Sequence, residues 1–181
     1  YLSKNNNNLL RLGSIIKSFP NCLILIPFRD PVQQANSLLI QHKNFTQMQN
    51  QNKFVKNYMS YLVHYEFGAN HRQYEFIKNS KPESDNNSLE YWLTQWINTY
   101  TFFSQEKFSG KSNIMYVNYE YLCENPQRVF ENISKKINLD NLSFDNNYEF
   151  KLSFKKVELK EDQLVLKARK IFNKLKRLNK V

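Results

Sequence analysis

Apolar residues recur at three- and four-residue spacing through Leu9, Leu12, Ile16 and Phe19, which predicts an amphipathic helix over about Asn8 to Phe19, stopped by Pro20. The pattern then changes. Cys22 to Phe28 is a nearly continuous apolar run of strand length, as expected for a parallel strand covered on both faces. A second helix is predicted from Pro31 to about His42, capped by the Asp30 carboxylate and opened by Pro31, where no backbone donor is needed. The Gln- and Asn-rich stretch from Lys43 to Asn52 reads as a loop. Phe54 to about Ile77 reads as helix with a break near Gly68, and Lys78 to Asn87 as an exposed linker. Ser88 caps a further helix, whose Leu89, Trp92, Leu93, Trp96, Tyr100 and Phe103 form a wide apolar stripe with both tryptophans as core anchors. Ile114 to Val117 form a second strand. Asn125 and Pro126 cap and open a helix carrying Val129, Phe130, Ile133 and Ile137. Together these elements predict one α/β domain over residues 1–181, with a parallel central sheet flanked by helices.

Composition narrows the class. Hydrophobic content of 41% with 15% aromatics argues for a folded core despite the many Asn and Lys residues. No apolar run approaches the roughly 20 residues of a membrane span, and Tyr1 to Ser14 lacks the apolar core of a signal peptide, so a soluble, cytoplasmic protein is expected. Cys22 and Cys123 have no metal or redox spacing and are read as reduced. Much of the formal +10 charge falls in residues 155–181, where Leu164, Ala168, Ile171, Leu175 and Leu178 give a basic C-terminal helix its packing face. A nucleic-acid or anionic-membrane surface is the rival reading of that tail. No aromatics interleave with its charges and no nucleic-acid-binding signature is present, so no specific nucleic acid is expected.

Candidate chemistry gathers where the first strand ends. Arg29 follows the apolar run, and Ser37 lies about two turns beyond the Asp30 cap, on the same face as the helix start. A guanidinium offers a planar fork of donors to phosphate oxygens, and a hydroxyl adds one bond without charge. The same residues also make an ordinary strand, a capped helix and a solvated arginine.

This segment resembles the 3′-phosphate-binding segment of sulfotransferases that use PAPS (3′-phosphoadenosine 5′-phosphosulfate), in which an arginine at a strand end and a serine eight residues later hold the nucleotide's 3′-phosphate. The stretch NIMYVNYEYLCENPQRVFENISKKINL, Asn113 to Leu139, is similar to a later part of that fold, in which a strand leads to a Tyr-Glu pair, a loop ending in proline and a helix. HKNF and YLVHYEFGANHRQY, from His42 and Tyr61, are similar to stretches of a bacterial branch. The resemblance covers Cys22 to about Leu139. It implies a P-loop-like sulfotransferase fold, PAPS as co-substrate, a small-molecule, glycan or lipid acceptor, no metal, and Tyr119 against the adenine.

The family's Gly/Ser/Thr-rich phosphate loop is not found among the glycines Gly13, Gly68 and Gly110, and no late Arg-Lys-Gly-type segment follows Leu139. With the opening on Tyr1, this leads us to expect a piece lacking the first strand and its loop. The histidine that precedes the phosphate motif in the cytosolic branch is also missing, since His42, His64 and His71 all follow it. His64 and Glu66, where acceptor-binding elements are expected, are the candidate catalytic pair for taking the acceptor proton. His64 and His71 share a face if helical, but two ligands without a third make no metal site. The alternatives are another nucleotide-dependent group transferase such as a kinase, and a basic nucleic-acid-binding module.

Overall fold

β1 (Ile24–Phe28) and β2 (Ile114–Asn118) pair in parallel, with Ile24 level with Ile114 and Phe28 level with Asn118. The computed structural model describes residues 2–76, 84–139, 149–157 and 161–179. Among them the chain is mixed α/β and mostly helical, with this two-stranded parallel sheet beside helices. β2 is buried along its whole length; Ile114 to Val117 are apolar, and the buried Asn118 at its end places its side chain on the next turn. β1 departs from expectation: Ile26 and Phe28 are buried, whereas Leu25 and Pro27 lie at the surface, so the strand alternates and is covered on one face only.

The fold divides into two compact units. The first comprises Tyr1–Arg29, Phe103–Phe154 and Asn173–Val181. It holds α1 (Asn8–Ser18), both strands, the single-turn α5 (Glu106–Ser109), α6 (Tyr119–Glu124) and α7 (Pro126–Lys136). Met115, Val117 and Val129 form a core cluster here, with Leu23, Tyr121, Leu122 and Ile133 packed against it. Tyr116 is buried in the same unit. Its hydroxyl donates to the Phe103 carbonyl, and burial pushes its pKa up to about 12. Residues after Tyr119 are helix where a loop is expected, because the Asn118 side chain accepts the Tyr121 N–H at 2.7 Å and caps α6. Pro126 opens α7, but Asn125 does not cap it; its side-chain amide donates instead to the Tyr121 carbonyl at 3.3 Å.

The second unit comprises Asp30–Phe102 and Lys155–Phe172. α2 (Pro31–Gln51) starts at the expected cap, with Asp30 accepting the Gln33 N–H at 2.9 Å, but continues through the stretch expected as loop. Its buried Ala35, His42 and Gln49 stand seven residues apart, on one face every two turns. Asn52, in extended conformation, ends α2 and accepts the N–H groups of Phe54 and Val55 to start α3 (Lys53–Tyr61). α3 is shorter than the helix predicted to about Ile77. Its end is closed by hydrogen bonds from Val63 N–H to Ser60 and from His64 N–H to Met59, with Val63 at φ 61°. That left-handed conformation, usually given to glycine, costs a β-branched residue about 1–2 kcal/mol. Residues 64–76 are non-helical, and 77–83, which include most of the expected linker, lie outside the described residues.

α4 (Leu89–Phe103) takes the Ser88 hydroxyl on the Tyr91 N–H and buries Trp92, Leu93, Trp96, Ile97 and Tyr100. Both indoles find acceptors, Trp92 on the Asn86 carbonyl at 2.8 Å and Trp96 on Gln34 at 3.0 Å. The basic helix is α8 (Gln163–Leu178), which begins later than residue 155; Val165, Ala168 and Leu175 are buried, and Lys167, Arg169, Lys170, Lys174, Lys176 and Arg177 are exposed. Lys160 and Lys180 of the predicted tail lie outside the described residues. No helix among the described residues is long and apolar enough to cross a membrane.

Candidate functional site

Because Phe28 and Asn118 are level in the sheet, Arg29 and Tyr119 leave adjacent parallel strands side by side at their C-terminal ends. Ligands of open α/β sheets sit at that end. The Arg29 guanidinium carbon lies 5.1 Å from the centre of the Tyr119 ring. Arg29 Nη2 donates to the Ser153 carbonyl at 3.2 Å, and the Tyr119 hydroxyl donates to the Lys151 carbonyl at 3.2 Å. Arg29 Nε is buried and has no hydrogen-bond partner among the described residues. The Tyr119 pKa is raised, first by a hydrogen bond with Cys123 and then by burial, against the opposing pull of Arg29. Its phenol is therefore neutral at physiological pH.

Ser37 belongs to the second unit, two turns into α2, with its side chain exposed. Arg29 and Tyr119 are thus the predicted nucleotide residues that one unit holds in contact. The first turn of α2 is tied to residue 155 by a reciprocal pair of bonds, in which Gln33 Nε2 donates to the Lys155 carbonyl and Gln33 Oε1 accepts its N–H, each at 2.9 Å.

His64 and Glu66 are brought together, with Nδ1 and Oε2 3.5 Å apart and the carboxylate the more buried partner. The other two histidines form a cluster that sequence spacing does not reveal. His42, 2% exposed, accepts the Gly68 N–H on Nδ1 at 3.2 Å and packs against Trp92 with ring centres 5.3 Å apart. His71 packs on the same indole at 5.0 Å, and the two imidazoles lie 5.4 Å apart. Burial lowers both imidazole pKa values; at His42 the neighbouring His71 adds to the effect.

His71 Nδ1 meets the Tyr65 carbonyl at 3.2 Å, which assigns the proton to Nδ1 and leaves Nε2 to accept the Tyr91 hydroxyl at 2.7 Å. This neutral Tyr–His pair opens on a cleft of about 560 Å³ lined also by Arg72, Glu75, Asp85 and Asn86. Burial raises the Tyr91 phenol and lowers the His71 imidazole, so the shared proton stays on the tyrosine. His71 and Tyr91 are twenty residues apart, and no local motif announces their meeting. No group of three or more His, Cys, Asp or Glu among the described residues could hold a metal ion.

Among the described residues, then, fold and site define a mixed α/β chain with an arginine–tyrosine pair at the C-terminal edge of a parallel sheet and a histidine–tyrosine cleft in its second unit. Comparison with protein-family models, with curated proteins and with solved structures gave no match.

Proposed function

We propose that this chain is a sulfotransferase domain that holds the 3′-phosphate end of PAPS with Arg29 and Ser37 and sets Tyr119 against its adenine. One observation carries the reading. Arg29 and Tyr119, ninety residues apart and assigned to one nucleotide by separate motifs, emerge level from neighbouring parallel strands and stack. A stacked guanidinium keeps its in-plane donors for an anion. The buried Nε of Arg29 is one such donor. Ser37 enters on its eight-residue spacing from Arg29. The fold that goes with this reading is the P-loop-like sulfotransferase fold, of which β1 and β2 would be neighbouring strands.

In the reaction, the acceptor hydroxyl or amine forms a bond to sulfur as the bond from sulfur to the 5′-phosphate oxygen breaks. Adenosine 3′,5′-bisphosphate leaves, and the acceptor proton passes to a base. That role goes to His64, oriented by the Glu66 carboxylate 3.5 Å away. The acceptor is a small molecule, glycan or lipid. A cytoplasmic setting suits the two free cysteines, Cys22 and Cys123.

Calorimetry tests the nucleotide assignment. Adenosine 3′,5′-bisphosphate should bind more tightly than adenosine 5′-monophosphate. Arg29→Ala should remove that preference, a loss of about 1.5–3 kcal/mol for a charge-assisted contact, and Ser37→Ala should cost about 1 kcal/mol. Equal affinity of the wild-type chain for the two nucleotides would refute the reading.

A further inference from the structure

Residues 65–73 are non-helical and carry Glu66, which orients His64, and one wall of the His71–Tyr91 cleft. The segment closes on itself, with the Arg72 N–H on the Tyr65 carbonyl at 2.8 Å. Its tip is seated on α2, where Gly68 N–H donates to His42 Nδ1 at 3.2 Å and Ala69 N–H to Gln49 Oε1 at 2.7 Å. On α4, the Tyr91 hydroxyl donates to His71 Nε2 and Gln95 Nε2 donates to Gln73 Oε1 at 3.2 Å.

Two of these four ties end on an imidazole lone pair, which a proton can take, and two end on amide oxygens, which stay acceptors. The tie at His71 can outlast protonation, because a hydroxyl can turn and accept from Nε2–H. The tie at His42 cannot. A backbone N–H is fixed in direction, so a protonated Nδ1 would face the Gly68 N–H donor to donor in a buried site. Two charged rings with centres 5.4 Å apart would also repel each other. Burial is the largest influence on both rings and favours the neutral form; at His42, His71 and Lys43 of α2 add to it. A hydrogen bond from the ring to the Asn86 side chain and the charge of Asp85, both in the turn before α4, act the other way at His42, as do the Tyr65 and Glu66 backbones at His71.

We propose that His42 is an acid-released latch: a proton on Nδ1 frees Gly68 from α2 and lets residues 65–73 leave α2 and α4 while those helices stay folded. Release takes Glu66 away from His64 and removes the wall of the cleft that His71, Arg72 and Gln73 supply. Control of catalysis by this step rests on the sulfotransferase reading; the latch itself does not. Above the ordinary imidazole value of 6.5 both rings are neutral whether the segment is seated or released, and the latch holds fully. Below it, the released His42 takes a proton that the seated one refuses. The opening equilibrium should therefore rise by up to about tenfold between pH 7.5 and 5.5, and by up to about a hundredfold where the released His71 takes a proton too.

Amide hydrogen exchange on the full chain at pH 7.5, 6.5 and 5.5, corrected for the intrinsic pH dependence, tests the latch without nucleotide or acceptor. Gly68 and Ala69 should lose protection in acid within those limits, while Leu93 and Ile97 in α4 stay better protected than the segment. His42→Asn keeps an oxygen for the Gly68 N–H but does not titrate, so it should retain protection at pH 7.5 and lose up to about tenfold of the acid response. His71→Gln should keep the part of the response that belongs to His42. The proposal is overturned if wild-type protection of Gly68 does not fall in acid, if α4 opens together with the segment, or if His42→Asn keeps the whole acid response. Absence of nucleotide binding alongside an acid-labile Gly68 would remove the catalytic consequence and leave the latch standing.

Discussion

His42 offers the sharpest test of how the second unit is held together. It is almost fully buried in α2, accepts the Gly68 N–H and touches both His71 and Trp92. His42→Leu keeps a side chain of similar bulk but strands the buried Gly68 N–H, which should cost about 1–3 kcal/mol at pH 8. His42→Asn places an amide oxygen near the position of Nδ1 and should recover part of that loss. The pH dependence provides a second reading. Burial is the largest influence and, with His71 and Lys43, opposes the charged imidazole; a hydrogen bond from the ring to the Asn86 side chain and the Asp85 charge favour it, and the net direction is downward. His71 is lowered too, by burial against backbone contacts from Tyr65 and Glu66. With both folded-state values below the ordinary 6.5, the unfolded chain binds more protons just under that pH, so stability rises with pH there. It is complete above 6.5 and lost as the pH falls below it, at up to about 1.4 kcal/mol per pH unit for each histidine. Carboxylates contribute little between pH 5.5 and 6.5, about one unit above their usual range. His42→Leu should therefore reduce the slope of unfolding free energy against pH in that window. Urea titrations followed by tryptophan fluorescence at several pH values measure both quantities. A His42→Leu chain as stable as wild type at pH 8, or one with an unchanged acid slope, would refute this account of the cluster.

Gly68→Ala should destabilise the chain by more than about 1 kcal/mol in the same titrations, since Gly68 sits at φ 90° and a Cβ would run into the Gln49 side-chain amide. Tyr116→Phe should cost about 1–2 kcal/mol in thermal or urea unfolding, because it leaves the Phe103 carbonyl without the buried phenol that donates to it.

The elements that were legible in the sequence are those whose packing is done by apolar side chains. α4 shows its stripe because Trp92, Leu93, Trp96 and Tyr100 are themselves the core, and β2 shows its burial because Ile114 to Val117 are all apolar. The second half of α2 was hidden for the opposite reason. Its inward face is carried by His42 and Gln49, whose polar atoms bond Gly68 and Ala69, so a hydropathy pattern finds a polar stretch where the structure has a packed helix. The end of α3 was misread because a valine occupies the left-handed closing position, and valine carries no stop signal. The His71–Tyr91 pair depends on a loop after Gly68 folding back on α4, a contact with no local period to betray it. Arg29 and Tyr119 were each legible as strand-end residues, but their meeting needed the register of β1 on β2.

The surroundings of that pair bear on what Arg29 can bind. Segment 149–154 presents two carbonyls, Lys151 to the Tyr119 hydroxyl and Ser153 to Arg29 Nη2. Both acceptors are neutral, so they orient the guanidinium and the phenol without offsetting the arginine's charge. Tyr119 behaves the same way: its raised pKa keeps it a neutral ring beneath the cation. The acidic residues next in sequence to the pair, Asp30 and Glu120, accept the Gln33 N–H at 2.9 Å and the Asn118 amide at 2.8 Å. An anionic oxygen offered to Arg29 would exchange a neutral carbonyl bond for a charge-assisted one and give buried Nε an acceptor. A neutral ligand in the same place would gain only the weaker of those two effects. A phosphate placed there, as proposed, would be favoured over an uncharged group by how Arg29 is held as much as by its presence.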